Sequence, residues 1–148
     1  MDETLETLVW RRARNLCEYC RLSAAFSSTW FEIDHITAEQ HGGAAVPGNL
    51  ALACFADNHH KGPNLGSIDP KTRRKAWLFH PRRMKWTRHF RWDGPFLVGR
   101  TPVGRATIVA LKINLPHRVA QRAALIEEGV FPPVVRSPSR WKTPQQKM

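Results

Sequence analysis

The sequence predicts an α+β fold: two strands and a short helix form a small core, preceded by one helix and followed by a basic, partly helical extension. Three patterns predict it. Leu5, Leu8, Val9, Ala13 and Leu16 recur at spacings of three and four, with Arg11, Arg12 and Arg14 off that stripe, which gives an amphipathic helix over 3–16. Trp30 to Ile36 is ring-rich and β-branched, and Leu50 to Ala53 is a second apolar run; Gly42-Gly43 and Pro47-Gly48 make a loop between them. Thr101-Pro102 has the form of an N-cap followed by proline at the first helical position.

The remaining elements follow in order. Cys54 to Lys61 forms a short helix stopped by Gly62-Pro63. The helix opened by Thr101 runs to about Asn114, and a last one runs from Pro116 to Glu128 with Gly129 beyond its end. Residues 129–148, with Pro132-Pro133, Pro138, Pro144 and a polar end, are expected to be a disordered tail. The organisation expected is a core over 1–70, an extension over 71–128 that packs on it, and the tail; there is no internal repeat.

At 148 residues and 17.0 kDa the chain has room for one domain, and 42% hydrophobic residues suffice to fill its core. Three cysteines cannot all pair, no apolar stretch approaches the roughly twenty residues of a membrane span, and the N-terminus lacks a basic-then-apolar signal pattern. A secreted disulfide protein and an integral membrane protein are therefore not expected, and a cytoplasmic location is. The net charge of +11 calls for a polyanionic partner. It is concentrated: residues 1–70 carry a net −4, whereas 71–105 carry eleven Lys/Arg against Asp93 alone, a net +10. Trp77, Phe79, Trp86, Phe90, Trp92 and Phe96 interleave with those bases. Six large rings are too many to leave in solvent, so part of them should pack and shape a phosphate-binding surface.

Chemistry-bearing residues converge between Cys17 and Gly62. Asp34-His35 closes the first strand; Asn49 lies fourteen residues after His35, and Asn58 nine further on. Cys17-x-x-Cys20 and Cys54-Phe-Ala-Asp57 bracket the strands. Taken singly, Asp34 reads as a turn cap, His35 as a core histidine and the asparagines as turn and cap residues. The ordered set points to a site.

That set resembles the HNH nuclease family, through Cys-Glu-Tyr-Cys at 17–20, Phe-Glu-Ile-Asp-His-Ile at 31–36, Gly-Gly at 42–43, Asn-Leu-Ala-Leu-Ala-Cys at 49–54 and Asn-His-His-Lys-Gly at 58–62. Phe79-His80-Pro81-Arg82 and Trp86…His89-Phe90 are similar to an extension in one bacterial branch of these proteins. The resemblance implies a ββα-metal core around one divalent ion. His35 is then the general base, for which an imidazole of pKa about 6.5 is suited. Asp34 and Asn58 ligate the ion, Asn58 standing in the place of the family's last His and making an HNN variant. Oxygen donors favour Mg²⁺ or Mn²⁺. Asn49 is the clamp that orients the base across the loop. His59 and His60 follow Asn58, and His60 is the rival ligand should the helix register differ. Because a strand points neighbours to opposite faces, Asp34 and His35 can serve one phosphate only if the strand ends or distorts there, or if they flank it.

Many relatives carry Cys-x-x-Cys twice and bind a structural zinc. With Asp57 in the fourth position, three readings stand: a Cys17/Cys20/Cys54/Asp57 zinc site, a site completed by His59, or three buried thiols without metal. The implied activity is metal-dependent hydrolysis of phosphodiester bonds in DNA, double-stranded, gripped by Lys61, Arg73, Arg74, Lys75, Arg82, Arg83, Lys85, Arg88 and Arg91. The alternative is a non-catalytic nucleic-acid-binding zinc-knuckle module. One catalytic centre per chain requires a homodimer or two visits to cut both strands, and no membrane partner is expected.

Overall fold

A computed structural model describes residues 1–135 and builds them into five α-helices and three two-stranded antiparallel sheets. Helix α1 (Glu3–Ala13) is capped by Asp2, whose carboxylate accepts from the Leu5 amide at 2.9 Å. Glu3 and Glu6 in its first turn and Arg11 and Arg12 in its last complement the helix dipole. It stops three residues short of the expected Leu16 because Arg14 and Asn15 take left-handed backbone, with φ of 56° and 61°. That reversal turns the chain into the Cys17 loop.

Strands β1 (Phe31–His35) and β2 (Leu50–Cys54) pair antiparallel, Phe31 opposite Cys54 and His35 opposite Leu50. Strand β2 is buried along its whole length. Its uninterrupted apolar run is what a strand covered on both faces requires. Helix α1 packs on it, and its outer edge is occupied by Glu18, whose amide donates to the Leu52 carbonyl at 2.8 Å while its carboxylate accepts from the Leu52 amide at 2.9 Å. Helix α2 (Phe55–Lys61) follows without a loop, with Cys54 as N-cap. The strand-strand-helix order completes an α+β core of ββα type.

The extension adds the hairpin β3 (Gly66–Ile68) and β4 (Lys75–Trp77), the single turn α3 (Trp86–His89), the hairpin β5 (Phe90–Asp93) and β6 (Phe96–Gly99), then helices α4 (Pro102–Ala110) and α5 (Pro116–Glu127). Thr101 caps α4 as expected, accepting from the Gly104 amide at 3.0 Å. The helix ends at Ala110 rather than near Asn114, the chain passing through turns with Lys112 at φ 52°.

One contiguous core joins the two regions. Phe79, Trp86 and Phe90 pack ring on ring, with centroids 5.1–5.3 Å apart, and the Trp86 indole N–H donates to the Tyr19 carbonyl at 2.8 Å. Arg21 lies over the Trp86 ring at 3.9 Å. Trp77 and Phe96, by contrast, stand in solvent. Within the segment expected to be a tail from residue 129, Phe131 is buried edge-on against Trp92 with centroids 4.9 Å apart. Residues 136–148, with the rest of that expectation, lie outside the described residues.

Candidate active site and metal corner

Strand β1 ends at His35, so the pleat that separates neighbouring side chains runs out where Asp34 and His35 meet the loop. Asp34, His35 and Asn58 line one open cleft of about 280 Å³, together with Ile33, Ala38, Glu39, Gly62 and Pro63. The Nε2 atom of His35 is buried without a hydrogen-bond partner; Glu39 Oε1 is 3.6 Å away, beyond hydrogen-bond reach. The residue lines the cleft, and a ring nitrogen left without a hydrogen bond has capacity for a water or a ligand.

Each of its neighbours is fixed. Asn58 donates its amide nitrogen to Glu32 Oε1 at 3.0 Å. An ionised carboxylate only accepts, so this bond settles the amide orientation and leaves the Asn58 oxygen for another partner. Asp34 reaches the cleft by a sliver, being 4% exposed. Its Oδ2 accepts from the Tyr19 hydroxyl at 2.7 Å and lies 3.2 Å from Lys61 Nζ, and its Oδ1 accepts from the same ammonium at 3.3 Å. Burial pushes the Asp34 carboxyl up, and Lys61 and the Tyr19 hydroxyl oppose that rise. These donors leave Asp34 lone-pair capacity for one further contact.

Asn49 does not line the cleft. Its side-chain oxygen accepts from the Thr37 amide at 2.8 Å, and its nitrogen donates to the carbonyls of Thr37 and Ala44 at 3.0 and 2.9 Å. Gly43 makes that possible, since a Cβ there would sit 1.7 Å from the Thr37 carbonyl oxygen and 2.8 Å from the Asn49 amide nitrogen. Asn49 therefore ties Thr37 to Ala44 across the loop after His35 and stands outside the cleft lining.

On the other side of β2 the four knuckle residues converge. The ligand atoms of Cys17, Cys20, Cys54 and Asp57 all lie within 4.8 Å of one another, and all four residues are buried. Cys17 Sγ donates to Asp57 Oδ2 at 3.1 Å, and the Cys20 and Cys54 sulfurs are 3.8 Å apart. Burial pushes the Cys17 thiol up, whereas hydrogen bonds from Cys17 and Cys54 pull Cys20 down. Asp57 is pushed up to about 7 by burial and the neighbouring Cys20. Opposing that, Arg118 of α5 donates to Asp57 Oδ1 at 2.9 Å. The cluster could hold a metal ion, with Oδ2 facing the sulfurs and Oδ1 held by Arg118.

Several sequence expectations are corrected. His59 does not complete the corner; its ring stacks on Phe55 with centroids 5.6 Å apart. His60, the rival ligand, is not among the residues that line the cleft; its ring meets that of His59 with centroids 5.3 Å apart. Lys61 is not a DNA contact: it is 1% exposed, and its ammonium is spent on Asp34 and the carbonyls of His35 and Ile36. Arg82 is not a free surface base either, being ion-paired with Glu18. Arg73, Arg74, Lys75, Arg83, Lys85, Arg88 and Arg91 are exposed.

Glu32, Tyr19 and Arg118 are the site residues that the sequence reading missed, and Lys61 is one that it assigns to a different place. Glu32 was findable, since it stands two residues before Asp34 on the same strand face. Arg118 joins the corner across sixty-one residues, with no local signal.

No helix among the described residues is long and apolar enough to cross a membrane. No curated protein and no solved structure matches the chain. Residues 17–64, the stretch that builds the Cys17 loop, both strands of the ββα core and helix α2, match the HNH endonuclease family model.

Proposed function

We propose that the protein is a metal-dependent endonuclease hydrolysing phosphodiester bonds in DNA, with His35 as general base and Asp34 and Asn58 as ligands of one divalent ion. The observation that carries this reading is the meeting of these three residues on one cleft with His35 Nε2 unpartnered. His35 accepts the proton of the attacking water at that nitrogen. Tyr19 and Lys61 hold Asp34, and Glu32 holds Asn58, so both oxygen donors are oriented before any ion arrives. Two oxygen donors suit Mg²⁺ or Mn²⁺. When bound, such an ion supplies Lewis-acid polarisation of the phosphate and stabilises the leaving oxygen. The exposed bases Arg73, Arg74, Lys75, Arg83, Lys85, Arg88 and Arg91 provide the phosphate contacts that bring double-stranded DNA to the cleft.

The Cys17/Cys20/Cys54/Asp57 corner suits zinc, which accepts three thiolates and a carboxylate in a tetrahedral set. Arg118 offsets part of the negative charge such a set accumulates. Metal analysis of the purified protein should find one zinc per chain, lost in Asp57→Ala.

The activity is tested by incubating supercoiled plasmid with Mg²⁺ or Mn²⁺. His35→Ala should cut more slowly by about 10²- to 10⁴-fold, the usual share of a general base. Cutting by His35→Ala at the wild-type rate removes His35 from the chemistry and, with it, this reading.

A further inference from the structure

The β3–β4 hairpin has one covered face and one bare one. Ser67 and Ala76, opposite each other in the register, are half-buried, and both strands pack against α4. The alternate positions Gly66, Ile68, Lys75 and Trp77 all face solvent. Trp77 is 68% exposed and Ile68 48%, and Trp77 has no ring partner among the described residues although its neighbours in sequence pack ring on ring. Gly66 sits directly across from Trp77, and a Cβ there would lie 2.8 Å from the Ala76 carbonyl oxygen. The glycine keeps the strands close and leaves flat, bare backbone beside the indole.

The surrounding charge is of one sign. Lys71, Arg73, Arg74 and Lys75 are exposed around the hairpin tip. The single acid of the tip, Asp69, is turned inward. Its carboxylate takes a two-pronged contact from Arg105 at 2.8 and 3.0 Å, the Lys71 amide at 3.1 Å and the Thr72 hydroxyl at 2.9 Å. Those bonds fix the tip and remove its negative charge from the surface.

The hairpin also stands close to the cleft. Two residues, Asn64 and Leu65, separate Pro63, on the cleft rim, from Gly66, a span of three Cα–Cα steps. At no more than about 3.8 Å per residue plus one strand spacing, the Trp77 backbone lies within roughly 16 Å of the rim, or about five base steps.

We propose that this outer face is a docking platform for unpaired bases of DNA, Trp77 stacking on a base while Lys71, Arg73, Arg74 and Lys75 hold the adjoining phosphates. A flat exposed indole on the same hairpin as a cationic tip suits an open base face, which a single strand presents and an intact duplex covers. The substrate at the cleft accordingly carries single-stranded bases within a few steps of the scissile phosphate; that link to cleavage rests on the nuclease reading above. A second copy of the chain is the poorer occupant, because a symmetric contact through this face brings the same four cations against one another.

The test is binding of the full chain, without added divalent ion, to a fluorescein-labelled oligothymidylate and to a blunt duplex of equal length. Trp77→Ala should weaken the single-strand complex about tenfold or more and the duplex complex less than twofold, and Trp77→Phe should restore most of the loss. An unchanged urea midpoint for Trp77→Ala shows that the fold is intact. Equal weakening of both complexes, or of neither, overturns the platform. So does a change in oligomeric state on Trp77→Ala, which assigns the face to a second copy. Failure to cut plasmid with the single-strand effect intact leaves the platform standing and fells only its link to cleavage.

Discussion

Replacing Arg118 by methionine isolates what holds helix α5 to the metal corner. The guanidinium is buried and fully engaged: Nη1 donates to the carbonyls of Leu111 and Lys112 at 3.1 and 3.2 Å, and Nη2 donates to Asp57 Oδ1 at 2.9 Å. Methionine keeps much of the volume and removes every donor. Asp57 is then a fully buried carboxylate whose remaining side-chain donor is the Cys17 thiol. Removing one partner of a buried pair typically costs about 3–5 kcal/mol, because the other charge is left without compensation. For a chain of this size that is a fall in Tm of roughly 6–20 °C. Asp57→Asn in the Arg118→Met background removes the stranded charge, so the double variant should be at least as stable as Arg118→Met alone. Urea unfolding followed by far-UV circular dichroism, with and without zinc, measures all three proteins. A loss under about 1 kcal/mol for Arg118→Met, or strict additivity in the double variant, refutes the claim that charge rather than packing docks α5 here.

Asn49→Ala deletes three hydrogen bonds at about 1 kcal/mol each and frees the loop after His35. Plasmid cutting should slow through kcat with KM little changed, and the urea midpoint should fall. Two groups should each cost stability as pH falls, because hydrogen bonds from Arg105 hold the Asp69 carboxyl well below the usual range and burial pushes the His89 imidazole down. The buried Asp34 and Asp57 carboxyls, pushed up, work the other way. For Asp69 and His89 the unfolded chain binds the proton more tightly, so their stability is full above the unfolded pKa and lost as pH falls. The loss begins below about pH 6.5 with His89 and steepens below about pH 4 with Asp69. In urea midpoints taken against pH, Asp69→Asn should abolish the second of these losses. Charge reversal separates surface from structure. Arg83→Glu with Lys85→Glu should weaken DNA binding and flatten its salt dependence at constant stability. Arg82→Glu should instead lower stability by facing Glu18 with a like charge, as thermal melts beside binding isotherms will show.

The elements easiest to read in the sequence were those whose signals are local. The Asp34-His35 strand end, the apolar run of β2 and the Thr101-Pro102 cap each state their structure within a few residues. Helix ends were less legible, since Arg14, Asn15 and Lys112 enter left-handed backbone at residue types that do not announce it. The basic residues were the hardest. Lys61 and Arg82 look no different in sequence from Arg73 or Arg83, yet the fold spends them on Asp34 and Glu18. Whether a base is surface or scaffold depends on an acid brought to it from a distant segment, and spacing along the chain does not encode that. Trp77 illustrates the converse: among interleaved rings, only tertiary packing distinguishes those that fill the core from those left for a ligand.

The Cys17–Cys20 loop couples the Cys17/Cys20/Cys54/Asp57 corner to the strand that carries Asp34 and His35. Its four residues face three different parts of the protein. Cys17 and Cys20 enter the metal corner. Glu18 pairs with the edge of β2 and with Arg82 of the extension. The Tyr19 hydroxyl donates to Asp34 while its carbonyl accepts from Trp86. Burial keeps the Tyr19 phenol protonated far above its ordinary range, so this donor toward Asp34 is permanent. A change at the corner that shifts the loop therefore moves the group orienting Asp34, although no knuckle residue touches the cleft. A carboxylate in place of a fourth thiolate is tolerable on this arrangement because the loop is also anchored by β2, Arg82 and Trp86. The metal corner sets the loop's position, and three non-metal contacts share the load of keeping it there.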